Sequence, residues 1–305
     1  AAIDFAQELR DQCIAIELTK ERLARSRSVA PQHRDEIAEH FAAQRKAVGG
    51  TKRLYHPDQP EIKRIASVQS EATAVWKEAT IAYRKGIRLL RKDRLDEWQE
   101  TIERLQWKLA EAAVDADNHM EEILAASREW VGETLFDRGD YPSSFAATVS
   151  LGWSVHNFEP SDELLRLAPE TYQREQERVR RQFEQALASF EQEMREQMQD
   201  LVGALVAKLD DASEGKKVVY SEAATKNLRE FFDRFEKLGV FSDGDLTALI
   251  AEARETLGGT TMAELKNNAT RRGELAAEFK AVQDKLGALI VDAPTRAIDL
   301  DDLDD

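Results

Sequence analysis

Residues 169–211 read PETYQREQERVRRQFEQALASFEQEMREQMQDLVGALVAKLDD. After the leading Pro169 the run contains no proline and a single glycine, Gly203. Strong helix formers fill it: Glu, Gln, Arg, Ala, Leu and Met. Its apolar residues are Phe183, Leu187, Phe190, Met194, Met198, Leu201, Leu205 and Leu209. Their spacing of threes and fours averages about 3.7, a helix stripe closer to an eleven-residue repeat than to a heptad. One helix of about 60–65 Å follows at about 1.5 Å per residue. Propensity alone does not hold such a helix in water, so the stripe must lie against another element.

A second stripe lies upstream: Leu95, Trp98, Ile102, Leu105, Leu109, Ala112, Ala116, His119, Ile123, Ala126 and Trp130. Its steps alternate three and four, a heptad pattern that predicts one helix from Leu95 to Trp130. The simplest cover for both stripes is an antiparallel pairing of the two helices. Their unequal periods argue against regular knobs-into-holes packing along the whole length. Between them lies a different kind of sequence, Leu135–Ala168, with Gly139, Pro142, Gly152 and Pro160 and the aromatics Phe136, Tyr141, Phe145, Trp153 and Phe158. Residues Val149–Phe158 alternate like a strand or hairpin. Ile14, Ile16 and Leu18 alternate likewise, so the two segments can pair into a small sheet.

The expected fold class is mainly α: a long antiparallel helical hairpin, a coiled-coil-like rod, with a small β element in a central insert and a C-terminal helical bundle. The expected divisions are an N-terminal helical region with one strand (1–91), the first long helix (92–134), the insert (135–168), the return helix (169–211), C-terminal helices (212–291) and an acidic tail (292–305). Within the first division, Ser28 is the expected N-cap of a helix with Pro31 in its first turn, running to about Val48, and Gly49-Gly50 stops it. Another helix is expected from Glu61 to Tyr83. Near the C-terminus, Glu214–Tyr220 reads as a turn and a short extended piece. Ser221 and Asp243 are expected caps, and Thr261 with Glu264 forms a capping box.

Composition agrees with long helices. Of 305 residues, 33% are charged and 7% aromatic, with only 7 prolines and 14 glycines. The lone Cys13 leaves no partner for an intramolecular disulfide, which makes a reducing cytosol the expectation. Charges interrupt every apolar run before membrane-spanning length, and no signal peptide is legible near the start. The net charge is −15, with residues 1–100 at about +3 and the remainder at about −18. Bulk attraction to nucleic acid is disfavoured on that balance, although a local basic patch is compatible with it. Residues Ile298–Asp305 carry five aspartates and no cation, a solvated tail or an acidic docking peptide.

Catalytic patterns are missing. The chain has no Gly-x-Ser-x-Gly, no Cys-x-x-Cys and no glycine-rich phosphate loop. His33, Glu36 and His40 share a helix face, as do Asp115, His119 and Glu122, so each trio has metal-ligand spacing. No histidine has Glu three residues before it, as a carboxylate-bridged di-iron site needs. Exposed helix histidines, and for His119 a partly buried seam position, explain the trios as well. No catalytic residue, metal or cofactor is therefore assigned.

The basic stretch carries more information. Lys77, Arg84, Lys85, Arg88, Arg91, Lys92 and Arg94 face only Glu78 and Asp93 in sequence, with Trp76, Tyr83 and Trp98 interleaved. Cations with aromatics can hold a phosphate backbone and stack bases. Arg84, Lys85, Arg88, Arg91, Lys92 and Arg94 are the nucleic-acid-binding candidates, and Lys52-Arg53 with Lys63-Arg64 can extend them. Tyr141, Trp153 and Phe158 are the partner-binding candidates, since exposed aromatics mark contact sites.

Three stretches carry a resemblance: Gly49-Gly-Thr-Lys-Arg-Leu-Tyr-His-Pro-Asp58, Leu135-Phe-Asp-Arg-Gly-Asp-Tyr-Pro-Ser143, and Asn227-Leu-Arg-Glu-Phe-Phe-Asp-Arg-Phe235 with Phe241-Ser-Asp243 after it. Together they resemble a phage and plasmid protein family of unknown function. Genes of that family often sit beside MoxR- or CobS-type AAA+ ATPases and von Willebrand A-type proteins. The resemblance implies an accessory, adaptor-like role and supplies no catalytic residues. The expectation is a non-catalytic interaction protein with a protein partner, an AAA+ ATPase among the candidates, and with self-association open. The alternatives are a nucleic-acid-associated protein (recombination, replication or host takeover) using the basic stretch, or an inhibitor whose acidic surface imitates nucleic acid.

Overall fold

The structure, a computed structural model, describes residues 5–213, 223–239, 244–258 and 268–291. In chain order its elements are α1 (Phe5–Gln12), β1 (Cys13–Glu21), β2 (Ser26–Ser28), α2 (Pro31–His40), β3 (Thr51–Arg53), α3 (Pro60–Ala79), β4 (Ile81–Arg84) and β5 (Ile87–Arg91). They continue with α4 (Leu95–Asn118), α5 (Met120–Val131), β6 (Ser150–His156), α6 (Asp162–Leu167), α7 (Pro169–Ser213), α8 (Ala223–Leu238), α9 (Gly244–Gly258) and α10 (Ala269–Val291). The fold is mainly helical with a small antiparallel sheet. Strand order in the four-stranded sheet is β4-β5-β1-β6, and β2 and β3 form a separate two-stranded ribbon. The expected pairing of the Ile14–Leu18 segment with the insert strand corresponds to the β1–β6 neighbours of that order.

The chain divides into two compact units. One gathers Ala1–Ile16, Lys77–Asp93 and Val155–Asp305; the other gathers Glu17–Trp76 and Arg94–Ser154. These boundaries cut across the expected divisions, because each unit is assembled from segments distant in sequence.

In the first unit, α7 is a single helix of 45 residues, about 68 Å long. Its stripe is buried as spaced, except that Val202 rather than Leu201 takes the innermost place and Leu201 packs beside it. The cover comes from later in the chain. Leu275, Phe279, Val282 and Leu286 of α10, Leu228, Phe231, Phe232 and Phe235 of α8, and Leu246, Ile250 and Leu257 of α9 share one core with Phe183, Phe190, Met194 and Met198. Residues Leu9, Cys13, Ala15, Ile81, Tyr83 and Leu89 belong to the same core. Burying the large side chains of this core contributes about 1.5–3 kcal/mol each before chain entropy is set against it.

The expected hairpin of the two long helices is thereby corrected: Leu105 and Phe190 belong to different units. In the second unit α4 has its own neighbour, α3. Arg64 of α3 reaches Glu111 at 3.1 Å, and Lys108 of α4 reaches Glu71 at 3.4 Å. Those contacts run in opposite senses along the two helices, so α3 and α4 are antiparallel. Ile62, Ile65, Val68, Ala72 and Trp76 of α3 and Trp98, Ile102, Leu105, Leu109, Ala112 and Ala116 of α4 are all buried. Only residues 80–94 separate these helices, so closing them costs little loop entropy.

Two further helix expectations need correction. The helix expected to reach Trp130 stops at Asn118 and restarts at Met120, with His119 at φ −104, ψ 19. The stripe loses phase across that step: His119 is half-exposed and Trp130 exposed, while Ser127 is buried. The helix expected over Glu61–Tyr83 ends at Ala79. The chain then turns back as the β4–β5 hairpin, in which Ile81 pairs with Leu89 and Gly86 takes a positive φ of 73° in the turn. Ser28 lies in β2 rather than capping α2, whose N-cap is Ala30, and α2 ends at His40 instead of Val48. The expected turn at 214–220, the caps at Ser221 and Asp243, the Thr261–Glu264 box and the tail at 292–305 lie outside the described residues. No described helix is long and apolar enough to cross a membrane.

Candidate interaction surface

Two of the three stretches behind the family resemblance interlock in the second unit. Lys52 Nζ pairs with Asp140 at 2.6 Å and also donates to the Leu135 carbonyl. Tyr141 donates its hydroxyl to the Leu54 carbonyl at 2.9 Å, and its ring meets Tyr55 edge-on at 5.5 Å. Phe145 completes the cluster beside Tyr55. Burial drives the Tyr141 phenol above its ordinary pKa and does the same more strongly to Tyr55. From α4, Asp117 fastens the insert: its carboxylate accepts from the Ser144 hydroxyl and from the backbone N–H groups of Phe145 and Ala146. Three donors on one carboxylate make a strong local clamp. These motif residues hold the fold.

The partner-binding candidates are corrected accordingly. Tyr141 is only 6% exposed and belongs to the core. Trp153 is half-buried in β6. Phe158 is half-buried and packs against Tyr83 and Phe183 in the first unit. Tyr141 and Phe158 therefore serve packing within the fold.

The basic stretch is also largely spoken for inside its own chain. Arg88 is 8% exposed. Its guanidinium donates to Thr80 Oγ1 and to the carbonyls of Thr80 and Lys77. Those carbonyls end α3, so Arg88 caps a helix C-terminus and cannot reach a phosphate. Arg91 is paired with Asp93 through two nitrogens, and that bond holds its pKa above the usual value. Arg94 pairs with Glu97, and Lys92 donates to the Asp11 carbonyl. Arg84 lies over the Tyr83 ring at 4.7 Å. Lys85, in the turn beside Gly86, is exposed, as is Lys92. Of the extension, Lys52 is clamped as above, Lys63 pairs with Asp58, and Arg64 pairs with Glu111 and Asp115.

The histidine trios do not converge on a metal position; no cluster of three ligating side chains occurs among the described residues. His33 bonds Glu36, whereas His40 stacks edge-on against Phe41. His119 donates from Nδ1 to the Asp115 carbonyl at 2.8 Å, the chief reason its pKa is raised. Along the outer side of α7 the carboxylates alternate with arginines and pair with them: Glu175 with Arg178, Glu177 with Arg180 and Arg181, Glu184 with Arg180. That surface is mixed rather than uniformly anionic.

What stands open is a surface that sequence patterning passed over. Trp107 is 70% exposed and Val114 51% exposed. With exposed Ala110 they occupy positions i, i+3 and i+7 on the side of α4 opposite its buried stripe. Glu103, Arg104 and Glu111 border them. The signal was present: a tryptophan out of phase with the Leu105–Leu109 stripe. No family model, no curated protein and no solved structure matches this chain, so function has to be argued from surfaces such as this one.

Proposed function

We propose that this chain is a non-catalytic interaction protein of phage or plasmid type, and that its partner is the AAA+ ATPase of such a module. The observation that carries the reading is Trp107. Trp107 leaves 70% of its surface in water on a regular helix, and tryptophan is among the residues most enriched in binding hot spots. Val114 and Ala110 extend the apolar strip, while Glu103, Arg104 and Glu111 supply a polar rim. The identity of the partner rests on the family resemblance of the Gly49–Asp58 and Leu135–Ser143 stretches.

The test is co-purification from the native host with the full-length chain as bait. An AAA+ ATPase is expected in the eluate, retained by the wild type and lost with Trp107→Asp. A Trp107→Asp chain that still retains the ATPase removes α4 from the argument. An eluate without an ATPase removes the adaptor role.

A further inference from the structure

The β2–β3 ribbon buries almost nothing, yet it is well anchored. Ser26 pairs with Arg53, Arg27 with Lys52, and Ser28 with Thr51. The ladder extends at both ends, from Leu54 N–H to the Arg25 carbonyl and from Val29 N–H to the Gly50 carbonyl, each at 2.9 Å. Leu54 and Val29 are buried at its base, and Lys52 is pinned by Asp140. Every other side chain of the two strands is exposed.

Four arginines sit on or beside this ribbon: Arg22, Arg25, Arg27 and Arg53, all exposed. None makes a side-chain hydrogen bond or ion pair among the described residues. In a chain with 58 acidic and 43 basic side chains, a lone cation finds a carboxylate easily. In the basic stretch, Arg91 and Arg94 have done so with Asp93 and Glu97. Here Asp140, the acid joined to the ribbon, is already taken by Lys52. Exposed Glu21, next to Arg22, forms no ion pair among the described residues.

We propose that the β2–β3 ribbon binds the phosphate backbone of nucleic acid through Arg22, Arg25, Arg27 and Arg53. Arginine's planar fork grips phosphate through two donors at once. Arg25 and Arg27 are two residues apart on one strand, about 6.6 Å, a spacing similar to that of successive phosphates on one nucleic-acid strand. Ser26, Ser28 and Thr51 add neutral donors of the kind that fix a protein's register on a backbone. A two-stranded ribbon also fits a duplex major groove. The net charge of −15 opposes bulk attraction of a polyanion, so binding rests on a local basic patch of this kind. This inference is independent of the α4 surface.

Anisotropy of a fluorescent oligonucleotide, single-stranded and duplex, titrated with the full-length chain across a salt series, tests it. Binding at low salt is expected, with a log–log salt slope of about 3–4 for duplex, since each neutralised phosphate adds about 0.9. Arg25→Glu/Arg27→Glu/Arg53→Glu should lower affinity more than tenfold and flatten the slope by about 3. The matching lysine variant, R25K/R27K/R53K, should keep most of the slope, which separates charge from misfolding. Arg84→Glu/Lys85→Glu should change little. The proposal is overturned by no binding at about 50 mM salt, by equal losses in the two charge-reversed variants, or by poly-glutamate binding as tightly as the oligonucleotide.

Discussion

Cys13 opens β1 with no exposed surface, and burial pushes its thiol up to about 12 despite nearby Arg91 and Lys92. The thiolate is the reactive form, so Cys13 should resist a disulfide reagent at pH 8 in the native chain and react fully in denaturant. Native labelling at the denatured rate would disprove the burial. The His119 pKa is raised as well, but there it is the charged form that gains. Its N–H to the Asp115 carbonyl, with Glu122 and Asp115 nearby, raises its pKa from the ordinary 6.5. The charged form is therefore favoured in the folded chain. Its contribution is fully present below the ordinary value and is lost as pH rises through the raised one. An NMR titration of the ring protons should place His119 above 6.5, and a value at or below it would contradict the bond to Asp115. Gly239 is a third constrained position. It ends α8 at φ 58, donating its N–H to the Phe235 carbonyl, and a methyl group there would collide with the Arg91 guanidinium. Gly239→Ala should destabilise the chain by about 1–2 kcal/mol through the left-handed conformation alone, with the Arg91 collision adding to it. Urea denaturation checks the sign.

At the level of elements, α7 shows what a pattern can and cannot tell. Its 3.7-residue stripe announced a buried face of the right length, because helix geometry maps spacing onto a side of a cylinder. What covers the face is a tertiary matter, and an apolar stripe carries no address. The same limit hid the break at His119, where threes and fours continue through a helix end, and the hairpin after Ala79, whose short strands resemble a helix tail. It also misdirected the basic-site assignment. Arg88 and Arg27 look alike in sequence, and only packing buries one against Thr80 and leaves the other in water. Gly203 was legible as the one flaw in α7, and the structure gives its context: an added Cβ would lie 3.3 Å from Gln283 Nε2 of α10. That atom ends a flexible side chain and can move by a few tenths of an ångström. Gly203→Ala should therefore stabilise the chain by about 0.5–1 kcal/mol from helix propensity. A loss of stability would show that α10 is pressed against α7 too tightly to yield.

Across the whole molecule, the two units are threaded through each other in sequence: the chain passes between them after Ile16, Trp76, Asp93 and Ser154. Neither is a contiguous domain that a simple truncation could isolate. The first unit depends on its earliest residues, because Leu9, Cys13 and Ala15 lie in the same core as Phe183 and Phe190, and Cys13 through Ile16 pair with Arg91 through Arg88. Deleting residues 1–16 strips β5 of a neighbouring strand and removes a fully buried leucine, whose loss alone costs about 2–5 kcal/mol. Hydrogen exchange should then rise in β5 and over the Val179–Phe190 part of α7, where that core is left incomplete. All five tryptophans (Trp76, Trp98, Trp107, Trp130 and Trp153) belong to the second unit, so their fluorescence reports on that unit by itself. If protection in β5 and α7 is unchanged by the deletion, the amino-terminal segment is not part of that core and the division into these two units is wrong.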